Sequence, residues 1–194
     1  MEVNPYQLPL QNEIYIQQNI VSSISQSKDN GNVRLFINQG FHYAKINETS
    51  VFPLTTEIGL EINYFYEAAL VCQYIFQNFN SSPSKNFVIK NFWNCGNAFS
   101  VAPYSASLMH PKIQIFAGAG HAEGHEPDET KASTSVILYF WTLKPTLFLE
   151  TNISQNFKFS LGGGYQMIFF NNTLNIVPKN LFYFNAVASL ALYF

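Results

Sequence analysis

Charge is what this chain has least of. Lys and Arg total 10 and Asp and Glu total 12 in 194 residues, so charged residues are 11% of the chain, against roughly 25% in ordinary soluble domains. Arg34 is the only arginine. Without a basic patch, and with a net charge of −2, neither nucleic acid nor an acidic membrane surface is expected as a partner. Long apolar runs are missing as well. Phe and Tyr are abundant, at 19 and 11. Even so, Gln, Asn or Thr interrupts each greasy stretch before it reaches the roughly 18 apolar residues of a membrane helix. Cysteine is scarce. Cys72 and Cys95 stand alone, which leaves open two free thiols or one disulfide and supplies too few ligands for a cysteine metal site. The opening, 1–12, has neither the basic nor the apolar region of a secretion signal. An exported chain is then expected to be the mature form, with its signal removed and an initiator Met added.

What the chain does have is alternation. In the last stretch, Phe182, Phe184, Ala186, Ala188, Leu190, Leu192 and Phe194 share one parity, and Tyr183, Asn185, Val187, Ser189, Ala191 and Tyr193 the other. Period two over this length is a β-strand with one apolar face. A strand that runs to a terminal aromatic suits a transmembrane barrel closed by its last strand. This ending resembles that of the outer-membrane β-barrel proteins of two-membrane bacteria. The resemblance covers the terminal strand well and the rest only as a general pattern. It implies an outer-membrane location among outer-membrane lipids. It also implies an assembly signal, carried by Phe182, Phe184, Leu190, Leu192 and Phe194 and read by the barrel assembly machinery.

The same period recurs upstream. Alternating segments at 33–43, 54–64, 68–78, 97–107, 112–120, 133–151, 157–169 and 181–194 predict eight strands, or ten if 13–24 and 87–92 join the wall. The expected fold class is all-β, a closed antiparallel transmembrane barrel over 33–194. Residues 1–32 form an N-terminal segment, periplasmic or partly strand. In this reading 65–67 is a tight turn, 80–86 and 121–131 are polar loops, Pro103 weakens its strand and Pro111 marks a turn. Short connections then share one rim and long ones the other, the asymmetry of outer-membrane barrels.

The parity opposite the apolar one carries Arg34, Glu57, Glu61, Lys112, Lys144, Glu150 and Lys158. An eight-stranded barrel is just wide enough inside for side chains to fill it, and buried charges need partners. A structural ion-pair network in a narrow or plugged lumen is expected, rather than a general porin. Scattered charges on the solvent face of a soluble sheet explain the same alternation.

Dense chemistry is confined to one place. His121, Glu123, His125, Glu126 and Asp128 are candidate ligands for Zn²⁺ or Cu²⁺. The HExxH pattern is absent, and Gly124 and Pro127 argue against a helix, so a solvated loop is the plainer reading. No cofactor is expected. A lipid-modifying barrel enzyme needs a nucleophile, a base and a group to hold the base. Ser107 and His110 lie at a predicted turn without an evident acid, and His42 lies on an inner face, so no catalytic residue is assigned. The expected function is that of a small, monomeric, integral barrel with a structural or adhesin-like role and an extracellular ligand met through its loops. The alternative is a soluble secreted β-sandwich or small-ligand-binding barrel. In a eukaryotic secretory pathway the N-x-S/T sequences at Asn47, Asn80 and Asn152 would then be glycosylation acceptors.

Overall fold

The computed structural model of the chain describes residues 33–82, 85–125, 135–171 and 180–194. Its strands are β1 (Val33–Ile46), β2 (Thr49–Val51), β3 (Leu54–Ile62), β4 (Tyr66–Ile75), β5 (Phe79–Ser82), β6 (Lys85–Val101), β7 (Met109–His125), β8 (Val136–Asn152), β9 (Phe157–Phe170) and β10 (Asn180–Tyr193). The period of two in the sequence is a period of two in burial. Along β1, Phe36, Asn38 and His42 are enclosed while Leu35, Ile37, Phe41 and Tyr43 are exposed. A strand whose two faces differ this much must lay one against a core and leave the other to an apolar surrounding.

Eight of these strands form one up-and-down antiparallel sheet in the order β1, β3, β4, β6, β7, β8, β9, β10, and β10 pairs back onto β1. The short β2 and β5 pair with the ends of β1 and β6. A single closed sheet excludes the two-sheet sandwich. Successive outward partners run Asn180, Phe169, Trp141, Ala119, Cys95, Cys72, Thr56, Gln39, and the row returns to β10 at Leu190, ten residues beyond its start. With about 3.3 Å per residue and about 4.8 Å between strands, that stagger tilts the strands by about 40° and leaves an interior that side chains can fill.

The outer wall is apolar between two aromatic girdles. Ile58, Leu70, Ile113, Ile115, Leu147 and Leu161 stand exposed on it. At the end where β1 begins and β10 finishes, Tyr66 packs against Phe65 and Phe99. At the other end Trp141 stacks on Phe169 with centroids 4.1 Å apart, and Tyr43 meets Phe52. Trp141 reads as mid-strand in the sequence, but its register with Phe169 places it in this second girdle.

Several local readings need correction. The fourth wall strand is not 97–107 but β6, seventeen residues long, and 87–92 belongs to it. A bulge between Ile89 and Asn91 switches its inward parity from Phe87 and Ile89 to Phe92, Asn94 and Ala98, so one uninterrupted alternation never appears. Pro103 lies beyond β6 in a turn, and Pro111 lies within β7, paired with Leu149 and facing outward. The turn after β3 is 63–65, so Tyr66 and Glu67 open β4. β4 ends at Ile75, short of the expected 78, and Gln77 beyond it is exposed and accepts a hydrogen bond from the Phe52 amide. The expected polar loops at 80–86 and 121–131 are partly strand: Phe79–Ser82 form β5, β6 opens at Lys85, and 121–125 extend β7. The candidate strand at 13–24 and the N-terminal segment 1–32 lie outside the described residues.

Cys72 and Cys95, directly opposite on β4 and β6 with Cα atoms 4.2 Å apart, form a disulfide on the outer wall. It closes a separation of 23 residues, for which loop entropy gives about 3 kcal/mol at most. Changing both to Ser should leave the heat-modifiable gel mobility of the folded barrel intact. It should lower the free energy of unfolding measured in urea by no more than about 3 kcal/mol. Loss of the folded form would show that the disulfide is needed to pair β4 with β6.

Candidate functional site in the lumen and on the outer wall

At the short-turn end the lumen holds six charges of alternating sign. Arg34 Nη2 donates to both oxygens of Glu61, at 2.8 and 3.0 Å. Lys158 reaches Glu61 at 3.3 Å and Glu150 at 3.0 Å. Lys112 reaches Glu150 at 2.5 Å and Glu67 at 3.3 Å. The chain Arg34–Glu61–Lys158–Glu150–Lys112–Glu67 thus ties together β1, β3, β9, β8, β7 and β4. Glu150 is its hub, and also meets His110 Nε2 at 3.1 Å and accepts from Ser160 Oγ at 3.0 Å. Tyr193 donates to Glu67 at 2.8 Å, and its ring lies 4.4 Å from Lys158 Nζ and 4.7 Å from the Arg34 guanidinium carbon. Gly162 makes room beside this group, because a Cβ there would collide with the Phe148 ring and the Leu147 carbonyl.

Five of the seven interior charges named from sequence, Arg34, Glu61, Lys112, Glu150 and Lys158, meet here. Glu57 and Lys144 do not join them. Glu57 accepts from Gln114 at 3.3 Å, and Lys144 Nζ stands 5.5 Å over the Phe116 ring. Both belong to a middle layer with Asn38, His42, Gln73, Asn94 and Gln166. Glu67, His110 and Tyr193 were missed as network members. Glu67 fell in an assumed turn and His110 beside an assumed turn. Tyr193 was legible as inward by parity, but its hydroxyl partner was not.

The loop end of the lumen is filled by different chemistry. Phe79, Phe87, Ile89, Phe92, Leu138, Phe140, Ile168 and Phe170 pack into one apolar cluster. Phe92 stacks on Phe140 at 4.6 Å and Phe79 meets Phe92 edge-on.

The histidines weighed as catalytic bases, His110 and His42, are enclosed, whereas Ser107 is exposed in the turn before β7. His110 has an acid after all, Glu150, but its other nitrogen faces the Ser107 backbone carbonyl rather than a hydroxyl. His42 sits between Thr55 Oγ1 at 3.0 Å and Asn185 Oδ1 at 3.4 Å, the connectivity of a catalytic triad. All three are buried inside the wall, and a lipid-modifying barrel needs its nucleophile where lipid can reach it.

On the outside, β7 carries His121, Glu123 and His125 at alternate outward positions. Trp93 Nε1 donates to His121 Nε2 at 2.8 Å, and Asn91 Nδ2 to Glu123 Oε2 at 2.8 Å. Among the described residues no group of three such side chains is placed to hold a metal ion. Glu126 and Asp128 lie outside the described residues. Phe182, Phe184, Leu190, Leu192 and Phe194 all face outward.

No protein-family model and no curated protein matches this sequence. Solved structures do. Neisserial surface protein A, NspA, is similar over 86% of this chain and 100% of its own, with a TM-score of 0.55 at 15% identity. The N-terminal β-barrel domain of Pseudomonas aeruginosa OprF is similar over 85% of this chain and 100% of its own, with a TM-score of 0.53 at 8% identity. The chain has the fold of bacterial outer-membrane β-barrels. Identity this low speaks for the fold alone, so roles must come from this chain's own residues.

The network makes a stability prediction. Removing one member of a buried charge group strands its partners and costs about 3–5 kcal/mol. Glu150→Ala should lose that much in urea unfolding from lipid vesicles. Arg34→Ala, at the partly open rim, should lose less. Adding Lys158→Met to Glu150→Ala should recover part of the loss, since it removes a charge left without its partner.

Proposed function

We propose that this chain is a small integral outer-membrane protein whose lumen carries no general solute flow and whose activity lies on its outer surfaces. The observation that carries this reading is the pairing of an apolar outer wall with a filled interior. The wall is apolar between two aromatic girdles, as a hydrocarbon surrounding asks. The interior is occupied by the ion chain at one end and by stacked aromatics at the other. A porin needs a wide polar lumen, and an eight-stranded wall with this stagger has little room for one.

The closed lumen leaves anchoring, surface protection or adhesion as roles. An extracellular ligand would be met at the loop end, because loops on a rigid barrel vary without cost to the wall. Outer-membrane lipids and the barrel assembly machinery are the partners such a chain needs, the second reading the outward aromatics of β10. Candidate metal binding by His121, Glu123, His125, Glu126 and Asp128 is the weaker reading, since Trp93 and Asn91 already engage the first two.

Planar-bilayer recording of the refolded protein tests the closed lumen. The baseline should stay free of large, reproducible conductance steps across the usual voltage range. Stable, uniform steps would mean that solute passes the aromatic cluster and the ion chain, and the protein would then be a pore.

A further inference from the structure

The outer wall carries a cross-strand polar group at the edge of its apolar band. Asn91–Glu123 and Trp93–His121 are adjacent cross-strand pairs on β6 and β7, each joined by a side-chain hydrogen bond. These bonds fix what remains open. The neutral His121 ring accepts from Trp93 at Nε2, so its proton sits on Nδ1, which is left as a donor. Glu123 Oε1 and Asn91 Oδ1 are left as acceptors, with no partner among the described residues. Tyr139, exposed, offers a ring face beside His121 at a centroid distance of 6.4 Å. A donor, two acceptors and flat aromatic faces suit a ligand dense in hydroxyl groups. Lys90, exposed at the bulge beside Asn91, brings one ammonium and Glu123 one carboxylate, so the site has no net positive charge to favour a phosphate.

A groove meets this site. It has a volume of about 380 Å³ and is lined by Leu54, Tyr74 and Trp93 in one row and Thr56 and Cys72 in the next row toward the short-turn end. A second groove, of about 370 Å³, continues along the same strands past Ile58, Leu70 and Asn97. Trp93 is common to both features. One of its ring edges borders the groove, and its N–H is spent on His121. A hydroxyl-binding site at the margin of the apolar band and a long apolar groove leading away from it call for one amphipathic ligand.

We propose that this face binds a membrane glycolipid, with an uncharged sugar head on Asn91, Trp93, His121 and Glu123 and one acyl chain in the groove running from Trp93 past Leu70. The inference rests on the reading of the chain as a membrane barrel, because only a spanning wall would present both features to lipid at the correct depth. A free oligosaccharide lacks the chain, and an anionic phospholipid lacks the hydroxyl-rich head.

The test uses the refolded full chain in nanodiscs of phosphatidylcholine, doped with either diglucosyl diacylglycerol or phosphatidylglycerol of the same chains. Native mass spectrometry counts the lipid retained on release. The parent should keep the glycolipid in preference to phosphatidylglycerol. Asn91→Ala with Glu123→Ala should weaken retention by about fivefold or more, the scale of one or two neutral hydrogen bonds. Thr56→Trp, which fills the groove and spares the head site, should weaken it as well, while Leu161→Ala on the opposite wall should not. Equal retention of both lipids, or insensitivity to the Asn91, Glu123 and Thr56 changes, overturns the site. Binding of the free disaccharide with the same dependence on Asn91 and Glu123 overturns the lipid assignment. The heat-modifiable shift of the nanodisc samples is read first. Its absence from the parent overturns the membrane reading, and the site with it, whereas its presence without lipid preference overturns the site alone.

Discussion

The ladder between β10 and β1 is the constraint on which the rest of the structure depends. Hydrocarbon offers no hydrogen bonds, so each amide and carbonyl of a spanning strand must find its partner in the protein, and an open sheet edge is not viable there. Nine residue pairs, from Phe36 with Tyr193 to Ala44 with Asn185, join the last strand to the first. Once those pairs form, the stagger of ten residues is set and so is the bore. The bore then dictates what the inward parity must be, namely side chains that fill it and pay for their own desolvation.

Two solutions to that demand share one lumen. At the short-turn end, six charges alternate in sign along a chain that ends at Arg34 and Glu67, so that each inner member lies between two of opposite sign. At the loop end, aromatic and aliphatic side chains fill the space, and the Tyr183 hydroxyl is enclosed among them. The middle layer is intermediate, with amides, hydroxyls, His42, and the separated charges Glu57 and Lys144. The outward parity answers a different solvent and ignores these differences. Leu147 and Leu149 face outward from β8 on either side of the inward Phe148, and Glu150 follows two residues later. Strand parity lets the two solvents be met independently, which is why so few charges suffice.

The sequence shows the wall better than its joints. Period-two alternation in β8 and β10 is unbroken, and their faces are read correctly from residue type alone. Where a local rule competes with the pattern, the reading fails. The bulge at Ile89–Asn91 exchanges the faces of β6 midway, so Phe87 and Phe92 are both inward although their numbers differ by five. Pro111 suggests a turn, yet it lies near the start of β7, where a missing amide is cheap. His121 to His125 look like loop because they are polar, but a strand may outrun the apolar band and turn polar where it leaves it. The interior charges are legible as a set, whereas their partners are not. Nothing in the sequence says that Glu150 meets two lysines and a histidine while Lys144 meets a ring. Those contacts are set by the stagger around the barrel, which has no local signature.

The claim at the centre of this account is that the two parities of one strand face lipid and packed protein, respectively. Nitroxide scanning along β8 in lipid vesicles, from position 137 to position 151, measures this directly through oxygen accessibility. The account predicts a period of two, with maxima at odd positions such as 141, 143, 147 and 149 and minima at 142, 144, 146 and 148. High oxygen accessibility at the odd positions should come with low accessibility to a water-soluble nickel chelate. A flat profile, or odd positions open to the chelate, would contradict a lipid-facing wall and the closed barrel argued from it.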